Sequence, residues 1–134
     1  MNGGVNGAVY TIEEDHQNEG TILVGGSMTS AGVVNKTFVD GITSWDGKYW
    51  FNFGYNISRF FTNNTVYSIH SVPDYGIFVG GSISNFQSVF VNNVAFYNYT
   101  SKQWSKKIFF FFLFFLFYFF ILFFYFSLFF FILK

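Results

Sequence analysis

Two stretches of this chain carry nearly the same pattern. Val9-Tyr10-Thr11-Ile12 recurs as Val66-Tyr67-Ser68-Ile69, and Ile22-Leu23-Val24-Gly25-Gly26-Ser27 recurs as Ile77-Phe78-Val79-Gly80-Gly81-Ser82. Phe38-Val39-Asp40-Gly41-Ile42 is answered by Phe90-Val91-Asn92-Asn93-Val94, Trp45 by Tyr97, and Trp50 by Trp104. The offset drifts between 52 and 57 residues, and it changes only between matches, where loops tolerate insertion. A repeat of this period makes each copy one small unit that buries its apolar face on a neighbour.

Each copy reads as four short strands. Val9–Ile12 and Ile22–Val24 are β-branched apolar runs separated by the polar stretch Glu13–Gly20. A third strand over Gly41–Trp45 leads into Asp46-Gly47, a strong signal for a two-residue hairpin turn, and Lys48–Phe53 returns as the fourth. Four strands per roughly 40–50 residues is the period of a β-propeller blade. The fold class expected is all-β: two four-stranded antiparallel β-propeller blades, about 9–53 and 66–105, in an incomplete propeller. A small β-sandwich with chance likeness between its strands is the alternative, and eleven aligned identities at strand positions weigh against it. The glycine pair after the second strand permits close backbone approach. Trp50 and Trp104 are expected to fill the gap between adjacent blades, with Trp50 the costlier to remove because its blade has a neighbour in this chain.

VGGSMTSAG with GITSWDGKYW, and VGGSISNF with NNVAFYNYTSKQW, resemble kelch-related propeller repeats of the kind found in fungal and protist cell-surface proteins. The resemblance covers residues 5–105. The second copy departs from it at Asn85-Phe86-Gln87, where the first has Ser30-Ala31-Gly32. Closed propellers need about four to eight blades, so two blades imply a fragment, association with other blades, or marginal stability.

Composition changes abruptly after Lys107. Residues 1–107 carry six basic and seven acidic side chains and offer no basic patch, which excludes nucleic acid as a partner. Residues 108–133 hold only Phe, Leu, Ile, Tyr and one Ser. As a helix they would be about 39 Å long at about 1.5 Å per residue, enough to span a hydrocarbon core of about 30 Å with tilt. The expectation is a C-terminal hydrophobic helix that attaches the chain to a membrane in a single pass. Fifteen of these 26 residues are Phe and none is Ala, Gly or Val, whereas spanning helices normally use small residues where they pack. A T-rich non-coding stretch read as protein has the same composition, and that reading stays open beside the first.

Orientation signals conflict. Lys102, Lys106 and Lys107 precede the apolar run and only Lys134 follows, which places the strands in the cytoplasm. Yet Asn35, Asn56, Asn63 and Asn98 each open a glycosylation sequon, which points to a cell surface if the chain is part of a secreted protein. The opening MNGGVNGAVYTI has neither a basic start nor an apolar run, and it does not read as a secretory signal.

The residues suggest no catalytic, cofactor-binding or metal-binding set, and no cofactor is expected. Cysteine is absent, which removes disulfides, thiolate metal ligands and thiol nucleophiles together. His16, in Glu13-Glu14-Asp15-His16, is read as part of a solvated loop in preference to a weak cation site, and His70 as a surface or edge residue. The function expected is a non-catalytic binding or scaffold segment of a membrane-attached propeller, with a protein or glycan ligand. Glu13–Gly20 and Pro73–Gly76 are its candidate recognition loops. A truncated gene product with no independent function is the alternative, and a fragment of a propeller enzyme comes third.

Overall fold

A computed structural model describes residues 3–33, 36–53, 64–86 and 89–106. The helix expected over 108–133 lies outside them, as do Asn35, Asn56 and Asn63. No helix among the described residues is long and apolar enough to cross a membrane.

The described chain is all-β. β1 (Val9–Glu14) and β2 (Ile22–Gly26) are followed by a small ribbon, β3 (Ser30–Ala31) with β4 (Thr37–Phe38), then by β5 (Ile42–Trp45) and β6 (Trp50–Phe51). The second half repeats this plan with β7 (Thr65–Val72) and β8 (Gly76–Ser82), the ribbon of β9 (Asn85–Phe86) and β10 (Val89–Phe90), then β11 (Val94–Asn98) and β12 (Gln103–Ser105). The two four-stranded sheets have the same order, β1-β2-β5-β6 and β7-β8-β11-β12, and every pair is antiparallel. The ribbon forms in both halves although Asn85-Phe86 replaces Ser30-Ala31.

The glycine pairs lie inside β2 and β8, not after them. In both sheets the ladder to the first strand slips by one residue, at Tyr10 and at Tyr67. A bulge of this kind crowds the backbone beside it. A Cβ on Gly26 would collide with the Ala8 carbonyl, and one on Gly81 with the Thr65 carbonyl. Close approach is thus the reason for the second glycine of each pair.

The hairpin after β5 turns one residue later than Asp46-Gly47 suggests. Trp45 pairs with Trp50, and the Asp46 amide reaches the Tyr49 carbonyl at 3.3 Å, so Gly47 and Lys48 form the centre. The Asp46 carboxylate draws the turn together by accepting from the Lys48 amide at 2.8 Å and the Tyr49 amide at 2.6 Å. Those amides hold its pKa below the usual carboxylate range. β6 accordingly starts at Trp50, and the fourth strand is shorter than Lys48–Phe53.

Residues paired across strands share a face of a sheet. Leu23 and Ile42 of the first sheet enter the main core with Val66, Ile69, Ile77, Val79, Tyr97 and Trp104 of the second. The repeat equivalents of those six are Val9, Ile12, Ile22, Val24, Trp45 and Trp50. By register all six lie on the opposite face of the first sheet, in the rows Val9–Gly26, Ile12–Val24 and Ile22–Trp45–Trp50. The sheets therefore meet through unlike faces, as successive members of one rotation.

Trp50 is consequently not an inter-sheet residue. It packs on the far side of the first sheet with Val24, Met28, Ala31, Val39 and Val5, and its indole N–H reaches the Gly3 carbonyl at 3.0 Å. Trp104 is the residue at the seam: it is 4% exposed, stacks on Phe86 at 4.1 Å, and donates to the Phe53 carbonyl at 3.1 Å. The expected placement of Trp50 between the two sheets is therefore corrected, because each tryptophan leans on the segment that precedes its own sheet.

Candidate functional site

The loops joining β1 to β2, β7 to β8 and β11 to β12 come together at one end of the two sheets. The first turns through Asp15, whose amide and carbonyl are closed by Thr21 and Asn18. The second is the Pro73-Asp74 turn, where Asp74 takes a left-handed conformation with φ 59° and the Tyr75 amide reaches the Val72 carbonyl at 3.2 Å. Aspartate tolerates that conformation better than most residues. The third carries Tyr99 and Thr100 and ends at Lys102, also left-handed with φ 54°.

A polar network holds these loops in place. Asp15 is buried, and its carboxylate accepts from the Tyr99 hydroxyl at 2.6 Å, the Asn18 side-chain amide at 2.8 Å and the Gln17 backbone amide at 3.1 Å. The single phenol proton is committed to Asp15, so the Ser71 hydroxyl, 2.9 Å away, donates to the Tyr99 oxygen. Ser71 in turn accepts from the His16 backbone amide at 3.1 Å. Gln17 completes the tie by accepting from the Asp74 amide at 3.0 Å. Burial, and secondly the hydrogen bond to Asp15, push the Tyr99 pKa well above the ordinary tyrosine value. Tyr99 therefore stays a neutral donor.

This network corrects the reading of Glu13-Glu14-Asp15-His16 as a solvated loop: Glu13 and Glu14 end β1, and Asp15 is buried. Asp15 is 2% exposed, while His16 beside it is exposed. A buried carboxylate needs partners, and the chief one, Tyr99, is 84 residues away in sequence. Only its Asp-x-x-Asn spacing to Asn18 is local, the mark of a side chain folding its own turn. His70 lies on the edge strand β7 with its side chain 71% exposed, 3.5 Å from Glu13. Among the described residues no three acidic, histidine or cysteine side chains gather as a metal site would need.

Between the tied loops lies an open cleft of about 420 Å³. Its polar lining comes from Gln17, Asn18, Asn52, Asp74, Thr100 and Lys102, and its aromatic lining from Phe53, Tyr97 and Tyr99. Phe53 and Tyr97 meet edge to face at 5.3 Å. Both candidate recognition loops thus border one cleft, and the β11–β12 turn and the segment after β6 complete it. Of the four sequon asparagines only Asn98 is described. It ends β11, half-buried, with its side-chain oxygen accepting from the Ser101 amide at 2.8 Å.

Sequence reading missed Asn6 and Asn64 as a pair. Asn6 accepts from the Thr29 and Ser30 amides at 2.9 Å each, and the buried Asn64 accepts from the Ser84 amide at 3.2 Å. Each asparagine anchors its ribbon to the chain entering the first strand. They stand three and two residues before Val9 and Val66, and that one-residue slip hides the correspondence. Compared with protein-family models, with curated proteins and with solved structures, the chain matches none.

Proposed function

We propose that this chain is a segment of a kelch-like β-propeller, membrane-attached through residues 108–133, that binds a glycan non-catalytically in the cleft between its loops. The carrying observation is the chemistry of that cleft. The amides of Gln17, Asn18 and Asn52, the Thr100 hydroxyl, the Asp74 carboxylate and Lys102 stand beside aromatic rings, and the one buried carboxylate nearby, Asp15, is already saturated by its own partners. Amides and hydroxyls pair with sugar hydroxyls, while rings cover the apolar face of a pyranose; a few placed polar groups in an aromatic cleft supply orientation.

The test is ligand-observed NMR with a panel of neutral oligosaccharides added to the full chain in mild detergent. Thr100→Ala and Lys102→Gln should weaken binding about tenfold each, as loss of one good polar contact does, with the far-ultraviolet spectrum unchanged. Binding that ignores both substitutions, or no binding across the panel, overturns the glycan reading. Membrane attachment is tested separately by carbonate extraction: the expressed chain should remain in the pellet, and recovery in the supernatant removes that part of the proposal.

A further inference from the structure

The packing of the two sheets supplies its own rule for what comes next. At the seam, the first sheet offers Leu23, Gly25 and Ile42, and the second receives them with Val66, Ile69, Ile77 and Val79. Gly25 is the flat point of contact: a Cβ there would lie 2.8 Å from Val66 Cγ1 and 2.9 Å from Ile69 Cδ1. The receiving set exists a second time, on the outer face of the first sheet, where Val24 is already covered by Met28, Ala31 and Val39 but Val9, Ile12 and Ile22 are exposed. There Ile12 is 62% exposed, against 6% for its equivalent Ile69. The offering set exists a second time, on the outer face of the second sheet, as Phe78, Gly80 and Val94. A Cβ on Gly80 would meet nothing nearer than the Asn93 carbonyl at 3.9 Å, and Val94 is exposed where its equivalent Ile42 is buried.

We propose that the chain associates with copies of itself head to tail, the outer face of the second sheet in one copy docking on the outer face of the first sheet in the next. The proposal rests on the sheet packing alone and is independent of the ligand in the cleft. Unlike faces already meet inside the chain, so the same rotation applied once more brings Gly80 onto Ile12 as Gly25 lies on Ile69. The seam between first strands agrees. Glu13 lies 3.5 Å from His70, and the Tyr10 and Tyr67 rings are 5.2 Å apart. The next step repeats both contacts between copies, with His70 of one facing Glu13 of the other. Such a head-to-tail interface closes into a ring where the rotation allows, and extends into a filament where it does not.

The chain has no cysteine, so introduced thiols report only themselves. Ile12→Cys and Gly80→Cys are placed in separate full-length chains carrying tags of different size, mixed in mild detergent, and treated with a short bismaleimide. The expected result is a product joining an Ile12→Cys chain to a Gly80→Cys chain in excess over either like pair. Val94→Cys replaces Gly80→Cys should the latter fail to fold. Gly80→Trp, which plugs the contact, should abolish the assembly in analytical ultracentrifugation while leaving the β-sheet spectrum intact. Equal yields of all pairings would mean association through another part of the chain, such as residues 108–133, and would overturn the proposal. So would an unlinked pair, whether its thiols react freely with soluble maleimide or are shielded from it.

Discussion

The outer face of the first sheet and the inner face of the second are built from almost the same residues, yet along the first strand they live in opposite environments. Ile69 and Val66 are buried in the main core; their counterparts Ile12 and Val9 are 62% and 43% exposed. Trp104 is sealed between Phe86 and the Phe53 segment, whereas Trp50 is half-buried, its indole N–H on the Gly3 carbonyl, a residue with no side chain to cover the ring. Residue type therefore tells which face of a repeat unit wants cover. Position in the array tells which face receives it.

The largest effect that could break this comparison is the contrast between the tryptophans. Trp104→Ala should cost about 3–5 kcal/mol, as removal of a buried large aromatic does, against about 1 kcal/mol for Trp50→Ala, read as the shift in urea midpoint at constant slope. Equal costs would mean that the two faces are equivalent after all. Next come the isoleucines: Ile69→Ala should cost about 2–5 kcal/mol, and Ile12→Ala, measured at high dilution, should stay within about 0.5 kcal/mol of the parent.

How much of this was legible beforehand follows from what a repeat can and cannot encode. The first two strands of each sheet are marked by β-branched apolar runs and the fourth by its tryptophan, and their order is the same in both halves, so the division into two like units was readable. The ribbons were not, because Ser30-Ala31 and Thr37-Phe38 are too short to show alternation. The turn at Asp46 was displaced because its carboxylate recruits two backbone amides, an option that dipeptide preference does not weigh. The loop-end site was half readable: Glu13–Gly20 and Pro73–Gly76 do border one cleft, but Tyr99, which ties it together, carries no local signal. The placement of Trp50 at the seam failed because adjacency in sequence was taken for adjacency in packing.

The glycines sharpen the comparison at smaller scale. Gly25→Ala forces a methyl against Thr11, Val66 and Ile69 and should cost about 1–3 kcal/mol. Gly80→Ala, at high dilution, should change the midpoint by no more than about 0.5 kcal/mol. A large penalty at Gly80 in the monomer would place a hidden neighbour on that face.

A smaller loss than at Gly25 belongs to the ties across the seam. Tyr99→Phe should cost about 1 kcal/mol by removing the phenol donor from Asp15. The folded-state pKa of Tyr99 lies above its ordinary value of 10.0, so its contribution is complete below that pH and is lost as the pH rises beyond it. Urea midpoints taken on either side of pH 10 should thus fall more for the parent than for Tyr99→Phe. Parallel profiles would mean that the phenol is not confined in the folded chain.

The indole N–H of each sheet's last strand ends on a carbonyl that belongs to the run of chain leading into that sheet: Gly3 for Trp50 and Phe53 for Trp104. Phe53 follows β6 in the chain but closes over Tyr97 and Trp104. A module cut at the start of its first strand, Val9 or Thr65, would leave behind the clasp that fastens it. Grafting one of these units into another scaffold, or deleting one cleanly, would accordingly require the cut to fall earlier, before Gly3 in one case and between Phe51 and Phe53 in the other.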